Sequence, residues 1–264
     1  MNKKPVVAFV IATDATNQGY AQKMINSLRK FHTEEELPMI VINDSYTNKT
    51  GDPEKFYKMT PMVMMDLIKE YDKVIQINAD TIVTGSLDYI LKKNDYDVGA
   101  VLNFSKLDFV EYGPIGVAQI QPQEYINNGF NVVTSEKFVE HWWKLCHHPH
   151  FSRYQYREQD MLNFLYFYGG YKTRCFDEFD PEENYSAWHG LMWKGEGPKM
   201  KLVDNKIILP KSKDDYPNRD VEIKMTHYAG GNVPKMQYRI LFNNDIIKYM
   251  DWLVSDSKEP YEKR

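Results

Sequence analysis

The apolar segment Val74-Ile75-Gln76-Ile77 ends on Asn78-Ala79-Asp80 and resumes at Thr81-Ile82-Val83. A carboxylate just past a buried strand is a natural oxygen ligand for a hard divalent cation such as Mg2+ or Mn2+. If extended geometry persists, Asn78 and Asp80 point to the same side and can address one ion, or an ion and a ligand hydroxyl. The same residue types also form ordinary turns at strand ends. His227, where KMTH gives way to YAGG, offers an imidazole that serves equally as a metal ligand or as a packed, hydrogen-bonded side chain.

Two further clusters carry polar chemistry. Asn127-Asn128-Gly129, in YINNGFNVV, presents neutral amides that both donate to and accept from hydroxyls without a charge to neutralise. Clustered Asn and Gly are also turn chemistry. Glu158-Gln159-Asp160 opens a helical pattern, a position that favours acids through the helix dipole whether or not they bind anything. The run Cys146-His147-His148-Pro149-His150 does not have the spacing of a structural zinc finger and reads as a polar helix exit.

These residues need a scaffold. Short Val/Ile-rich runs (VVAFVIA, MIVIN, KVIQIN, VGAVLN) alternate with helical patterns (GYAQKMINSLRKF, FYKMTPMVMMDLIKEY), which predicts a mostly parallel sheet with helices on both faces. Ligands in such sheets bind outside the carboxyl ends of the strands. That rule lines up Thr13-Asp14, Asn43-Asp44, Asn78 to Asp80 and Asn103 along one rim. In the first helix Tyr20, Met24 and Leu28 recur at a spacing of four and form a core stripe. EKFVEHWWKL and EQDMLNFLYFY read as helices, Tyr185 to Lys199 as an aromatic loop, and YRILFNNDIIKYMDWLV as a C-terminal helix that packs on the main body.

With 264 residues, 42% hydrophobic and 27% charged, the chain has the composition of a globular protein; its length allows one large domain or two small ones, and the lack of a Pro/Gly/Ser linker predicts one. A net charge of −4 with scattered Lys and Arg gives no basis for a nucleic-acid partner. Two cysteines, Cys146 and Cys175, are too few for a disulfide framework. The run from Val6 to Ala12 stops at Thr13-Asp14 and reads as a first strand rather than a secretory signal. No stretch reaches the roughly twenty apolar residues of a membrane span. The expected location is cytoplasmic, or the host cytoplasm for a viral chain.

Taken in order, FVIATDATNQGYAQKMINSLRKFH, KMTPMVMMDLIKEYDKVIQINADTIVTGSLDYI, YINNGFNVV, EQDMLN and THYAGGNVPK resemble the successive motifs of the glycogenin-like family 8 retaining glycosyltransferases. The resemblance implies a GT-A fold: an α/β, mostly parallel central sheet with helices on both faces, forming one domain over 1–264. Within it, 1–104 would be a Rossmann-like nucleotide-binding half, 105–235 a donor-sugar and acceptor half, and 236–264 a C-terminal helix and tail.

The resemblance also implies a reaction: transfer from a UDP-sugar to an acceptor hydroxyl with retention, assisted by Mn2+ or Mg2+. Asp80 and His227 match the family's metal ligands, while Asn78 stands where the first Asp of its DxD motif normally is. Ala12, Thr13, Asp14 and Tyr20 match the turn that holds uridine, although Tyr20 serves equally as a core aromatic. Lys58, Gly230 and Lys235 match groups on the diphosphate, with Lys235 following Pro234 at a longer spacing than usual. Asn103, Asn127, Asn128 and Gly129 match positions around the donor sugar. Gln159 would steady positive charge on the reacting sugar, with Glu158 or Asp160 orienting the donor or assisting the acceptor proton. The acceptor stays open among glycan, lipid, protein and modified base. The altered DxD motif keeps a non-catalytic sugar-nucleotide-binding module as the rival reading.

Overall fold

Val7–Ile11 forms the first strand, β1, because its small and β-favouring side chains can be buried on both faces of a sheet, and four of its five residues are buried. The structure, a computed structural model, describes residues 3–43, 55–102, 110–111, 119–120, 125–154, 156–176, 185–186, 199–211, 219–228, 239 and 242–262. Helix α1 (Ala15–Leu28) follows β1 and is opened by Asp14, whose carboxylate accepts from the Asn17 amide at 2.8 Å. Next come β2 (Met39–Ile42), α2 (Lys55–Leu67), β3 (Val74–Ile77), β4 (Thr81–Val83), α3 (Asp88–Lys92) and β5 (Val98–Leu102). The short strands β6 (Val110–Glu111) and β7 (Gln119–Ile120) pair with each other. Then follow β8 (Ile126–Val133), α4 (Glu136–Cys146), α5 (Glu158–Tyr168), β9 (Thr173–Cys175) and β10 (Tyr185–Ser186). The chain continues through β11 (Lys201–Val203), β12 (Lys206–Leu209), β13 (Val221–Ile223) and β14 (Met225–His227) to α6 (Asn244–Val254).

The central six-stranded sheet has the order β2-β1-β3-β8-β5-β9. The pairs β1–β2, β1–β3 and β5–β9 are parallel, and β8 runs antiparallel to both of its neighbours. Side-chain alternation distributes the sheet between two cores. Val7, Phe9, Val74 and Val133 face α2, α4 and α5 through Met59, Val63, Trp142 and Leu162. Ala8, Val10, Ile75 and Val132 face α1 and α3 through Met24, Leu28 and Ile90. The expected α/β sheet with helices on both faces is therefore present.

A second, four-stranded sheet, β10-β13-β12-β11, was not legible in the sequence. Its Ile207, Leu209, Val221 and Ile223 bury the stripe Ile246, Tyr249, Met250 and Leu253 of α6. That helix starts at Asn244, later than its apolar pattern suggests, because the Asn243 side chain caps it by accepting from the Ile246 amide at 3.1 Å. Among the described residues no helix is long and apolar enough to cross a membrane.

Candidate active site

Strand β3 ends at Ile77, and Asn78 to Asp80 turn the chain out of the central sheet into β4. Strand β4 pairs with β14 instead, in a two-stranded antiparallel ribbon whose register sets Thr81 opposite His227. The Tyr228 amide donates to the Asp80 carbonyl at 2.9 Å and extends the ribbon by one step. The convergence of Asn78 and Asp80 thus comes from a turn and a ribbon, not from the strand alternation expected of them. It brings His227 Nε2 to 3.0 Å from Asp80 Oδ1 and 3.4 Å from Asn78 Nδ2.

The opposite wall is made by an irregularity. Between β5 and β8 the register jumps from Ala100↔Asn131 to Val101↔Asn127, while β3 keeps pairing as far as Ile77↔Phe130. Such a bulge re-aims side chains, and it sets Asn127, Asn128 and Gly129 beside Asn78, Asp80 and His227 in a cleft of about 310 Å³. Ile11, Asn17, Thr60, Gln76, Ala79, Glu158 and Gln159 complete the lining. A side chain at position 129 would not fit: a Cβ there would lie 2.2 Å from His227 Cε1.

Helix α5 is fastened to this wall by its own side chains. Asn163 accepts from the Ile126 amide at 2.6 Å and donates to the carbonyls of Ile126 and Gln159, each at 2.8 Å. Gln159 Oε1 accepts from the Asn128 amide at 2.8 Å, and Glu158 Oε1 accepts from Asn128 Nδ2 at 3.2 Å. Among the described residues Glu158 Oε2 is buried without a hydrogen-bond partner. Burial, reinforced by the Asp160 carboxylate, pushes the Glu158 pKa up to about 8. Near neutral pH Glu158 is therefore mostly a carboxylic acid able to donate its proton in a hydrogen bond.

Asp160 lies elsewhere. It is 1% exposed, accepting from the Tyr125 hydroxyl at 2.6 Å and from the Tyr156 amide at 2.8 Å, outside the cleft lining. Burial raises its pKa against those hydrogen bonds. Its placement is that of a structural clamp rather than the donor-orienting acid the sequence suggested. Lys58 is also buried, with Nζ 5.2 Å from the centre of the Phe151 ring, and does not line the cleft. Its neighbour Thr60 does.

Ala12 is buried in the core under α1, Asp14 is occupied as the cap of that helix, and Thr13 lies between them. Tyr20 packs partly buried against two of the hydrophobic clusters, as a core aromatic does. Asn103, Gly230 and Lys235 lie outside the described residues, as does most of the aromatic loop from Tyr185 to Lys199.

Sequence reasoning missed Gln76 and Asn131. Gln76 is the lone amide of an otherwise apolar buried strand and Asn131 lies fully buried beyond the Asn127-Asn128 pair on β8, and buried polar groups of that kind must have hydrogen-bond partners. They sit directly opposite each other on β3 and β8, and Asn131 Nδ2 donates to Gln76 Oε1. Gln76 Nε2 in turn donates to Asn78 Oδ1 at 3.0 Å.

A larger cavity, about 710 Å³, lies between α1 and the C-terminal tail. Its Trp252 ring is already engaged by Tyr249, stacked at 5.5 Å, and by the Lys30 ammonium at 4.8 Å. The chemistry converges on the smaller cleft.

No family model matches the sequence, and no curated protein matches it significantly. Solved structures do resemble it. The galactosyltransferase LgtC, determined with donor and acceptor sugar analogues, shares 17% identity over 97% of both chains with a TM-score of 0.58. The bifunctional glycosyltransferase WbbM shares 18% identity over 97% of this chain, which spans 50% of WbbM, with a TM-score of 0.53. Mouse xyloside xylosyltransferase 1 shares 12% identity over 89% of this chain and 99% of its own, with a TM-score of 0.53. At these identities the likeness concerns the fold, a GT-A-type α/β architecture.

Proposed function

We propose that the protein transfers a sugar from a UDP-sugar to an acceptor hydroxyl with retention of anomeric configuration, in the manner of family 8 enzymes, using Mn2+ or Mg2+. One observation carries the reading: Asp80 and His227, remote in sequence, meet at 3.0 Å in a cleft that also holds the amides of β8 and the start of α5. The glycosyltransferase folds of LgtC and WbbM support it.

The donor set fits a hard divalent cation, with conditions. Asp80 supplies a carboxylate oxygen, His227 an imidazole nitrogen and Asn78 a carbonyl oxygen once that end of its amide faces the ion. Among the described residues no group of three or more His, Cys, Asp and Glu side chains could hold a metal, so the donor's diphosphate must supply much of the shell. When bound, the cation would offset the negative charge that develops on the departing diphosphate.

The remaining work falls to the chain. The β8 amides offer donors and acceptors matched to sugar hydroxyls, and the neutral Glu158 carboxyl stands in the same wall. Gln159, whose Oε1 accepts from the Asn128 amide, lies in the same wall and would set an uncharged dipole beside the reacting sugar. The acceptor, whether glycan, lipid, protein or modified base, would enter over the segments that vary most in such folds.

Incubation with a panel of UDP-sugars, with and without Mn2+, followed by NMR, tests the reading. Metal-dependent release of UDP is expected, and the anomer of the freed or transferred sugar reports the stereochemistry. Tight UDP binding without turnover on any donor and acceptor would replace it with a sugar-nucleotide-binding module.

A further inference from the structure

Four carboxamides and one carboxyl in and behind the cleft wall form one hydrogen-bonded chain, and its polarity is set at a single buried side chain. Asn131, fully buried, gives both Nδ2 hydrogens away, to Gln76 Oε1 in one direction and to Asn128 Oδ1, at 2.7 Å, in the other. Along the first arm Gln76 passes a hydrogen to Asn78 Oδ1, which turns Asn78 Nδ2 toward His227 Nε2. Along the second arm Asn128 passes a hydrogen to Glu158 Oε1. Both arms therefore donate outward from Asn131, the first ending on the Asn78 amino group and the second on the Glu158 carboxyl.

The first of those endings is mismatched to its surroundings. His227 Nε2 faces an acceptor, Asp80 Oδ1, and a donor, Asn78 Nδ2, and one ring nitrogen cannot satisfy both. A carboxamide exchanges its donor and acceptor ends by a half-turn about its last side-chain bond with little change of shape. Within a chain such a turn cannot happen alone, because each neighbour must turn with it.

Building on the metal-dependent reading above, we propose that Gln76 and Asn131 are positioning residues that select, through a two-state amide chain, whether Asn78 presents its amino group or its oxygen to the cation site. With Asn131 reversed, its Oδ1, now buried without a partner, would accept from both Gln76 and Asn128, and Asn78 Oδ1 would face Asp80 and His227. Reversal leaves the buried Asn131 amino group without partners, so the outward N–H polarity is preferred without a cation and the cation stabilises the other. Asn128 would then turn its Oδ1 to Glu158 Oε1, which would carry the carboxyl proton and donate it, and the two ends of the cleft would switch together.

The chain is tested by following side-chain NH2 resonances, assigned through single substitutions, during titration with Mg2+ alone. Asn78, Gln76, Asn131 and Asn128 are expected to shift with a common midpoint. In Gln76→Met the Asn78 response should remain while those of Asn131 and Asn128 vanish. Asn131→Asp, which in its ionised form can only accept, should bind Mg2+ about tenfold more tightly at a pH high enough to ionise it. Adding Gln76→Met to it should abolish most of that gain, separating polarity from added charge. A response at Asn78 with Asn131 and Asn128 silent, or their persistence in Gln76→Met, overturns the chain and leaves the cation site standing. Silence at every resonance, with no Mg2+ binding by calorimetry, overturns both.

Discussion

The imidazole of His227 lies so close to Gly129 that a Cβ at position 129 would stand 2.2 Å from its Cε1 and 2.6 Å from its Nδ1. The backbone of β8 thus acts as a stop that fixes where the ring meets Asp80. Gly129→Ala must push the ring off this stop or distort the bulge. The expected result is a loss of stability of about 1–3 kcal/mol and a weaker affinity for Mn2+. Urea denaturation and a metal titration measure the two, and an unchanged Mn2+ affinity would show that the ring's placement is immaterial.

Charge at the turn after β3 should control cation binding in opposite directions at its two ends. Asp80→Asn removes the carboxylate that faces His227 and should weaken Mn2+ binding by at least about tenfold and abolish metal-dependent turnover. Asn78→Asp adds a carboxylate beside it and should tighten binding. Calorimetry with the ion alone reads both, and equal affinities in the two variants would remove the turn from the site.

Glu158 gives stability a pH signature. Its pKa lies at about 8 in the folded chain against an ordinary 4.5, so the folded state holds a proton that the unfolded state releases between those values. Its contribution to stability is full below pH 4.5 and is lost as pH rises through 8, falling by about 1.4 kcal/mol for each pH unit crossed between the two. Glu158→Gln keeps the shape without the titration, so its stability should fall less than that of the parent protein between pH 5 and pH 9. Parallel urea curves at the two pH values decide it, and identical slopes in both proteins would place the Glu158 carboxyl in water.

Asp160 should behave as a clamp. Asp160→Asn keeps an acceptor for the Tyr125 hydroxyl but sets an amino group against the Tyr156 amide, which now donates to Oδ2. A loss of about 1–3 kcal/mol is expected, with UDP affinity unchanged in the folded protein. Loss of UDP binding at full stability would return Asp160 to the cleft.

Much of the scaffold could be read from residue order because its signals are local. The alternation of Val/Ile runs with amphipathic stretches announced the sheet and its two covered faces, and Met24 and Leu28 lie at 0% exposure on the stripe expected of them. The start of α1 was harder to place, since its cap, Asp14, resembles a ligand as much as a helix signal. The second sheet went unread because strands of three or four residues, such as β11 and β13, carry too few positions to show a period.

The residue types in the cleft were settled by the sequence alone: a carboxylate after a buried strand, an imidazole far downstream, amides on a third segment and acids opening a helix. Which of them share the space was decided by tertiary structure. Asp80 and His227 meet because β4 leaves the central sheet to pair with β14, and Glu158 and Asp160 part company because residues two apart in one helical turn face opposite sides. Gln76 and Asn131 join the site only through a cross-strand register between β3 and β8. Registers and bulges depend on contacts between segments far apart in the chain, and composition or spacing within any one segment carries no record of them.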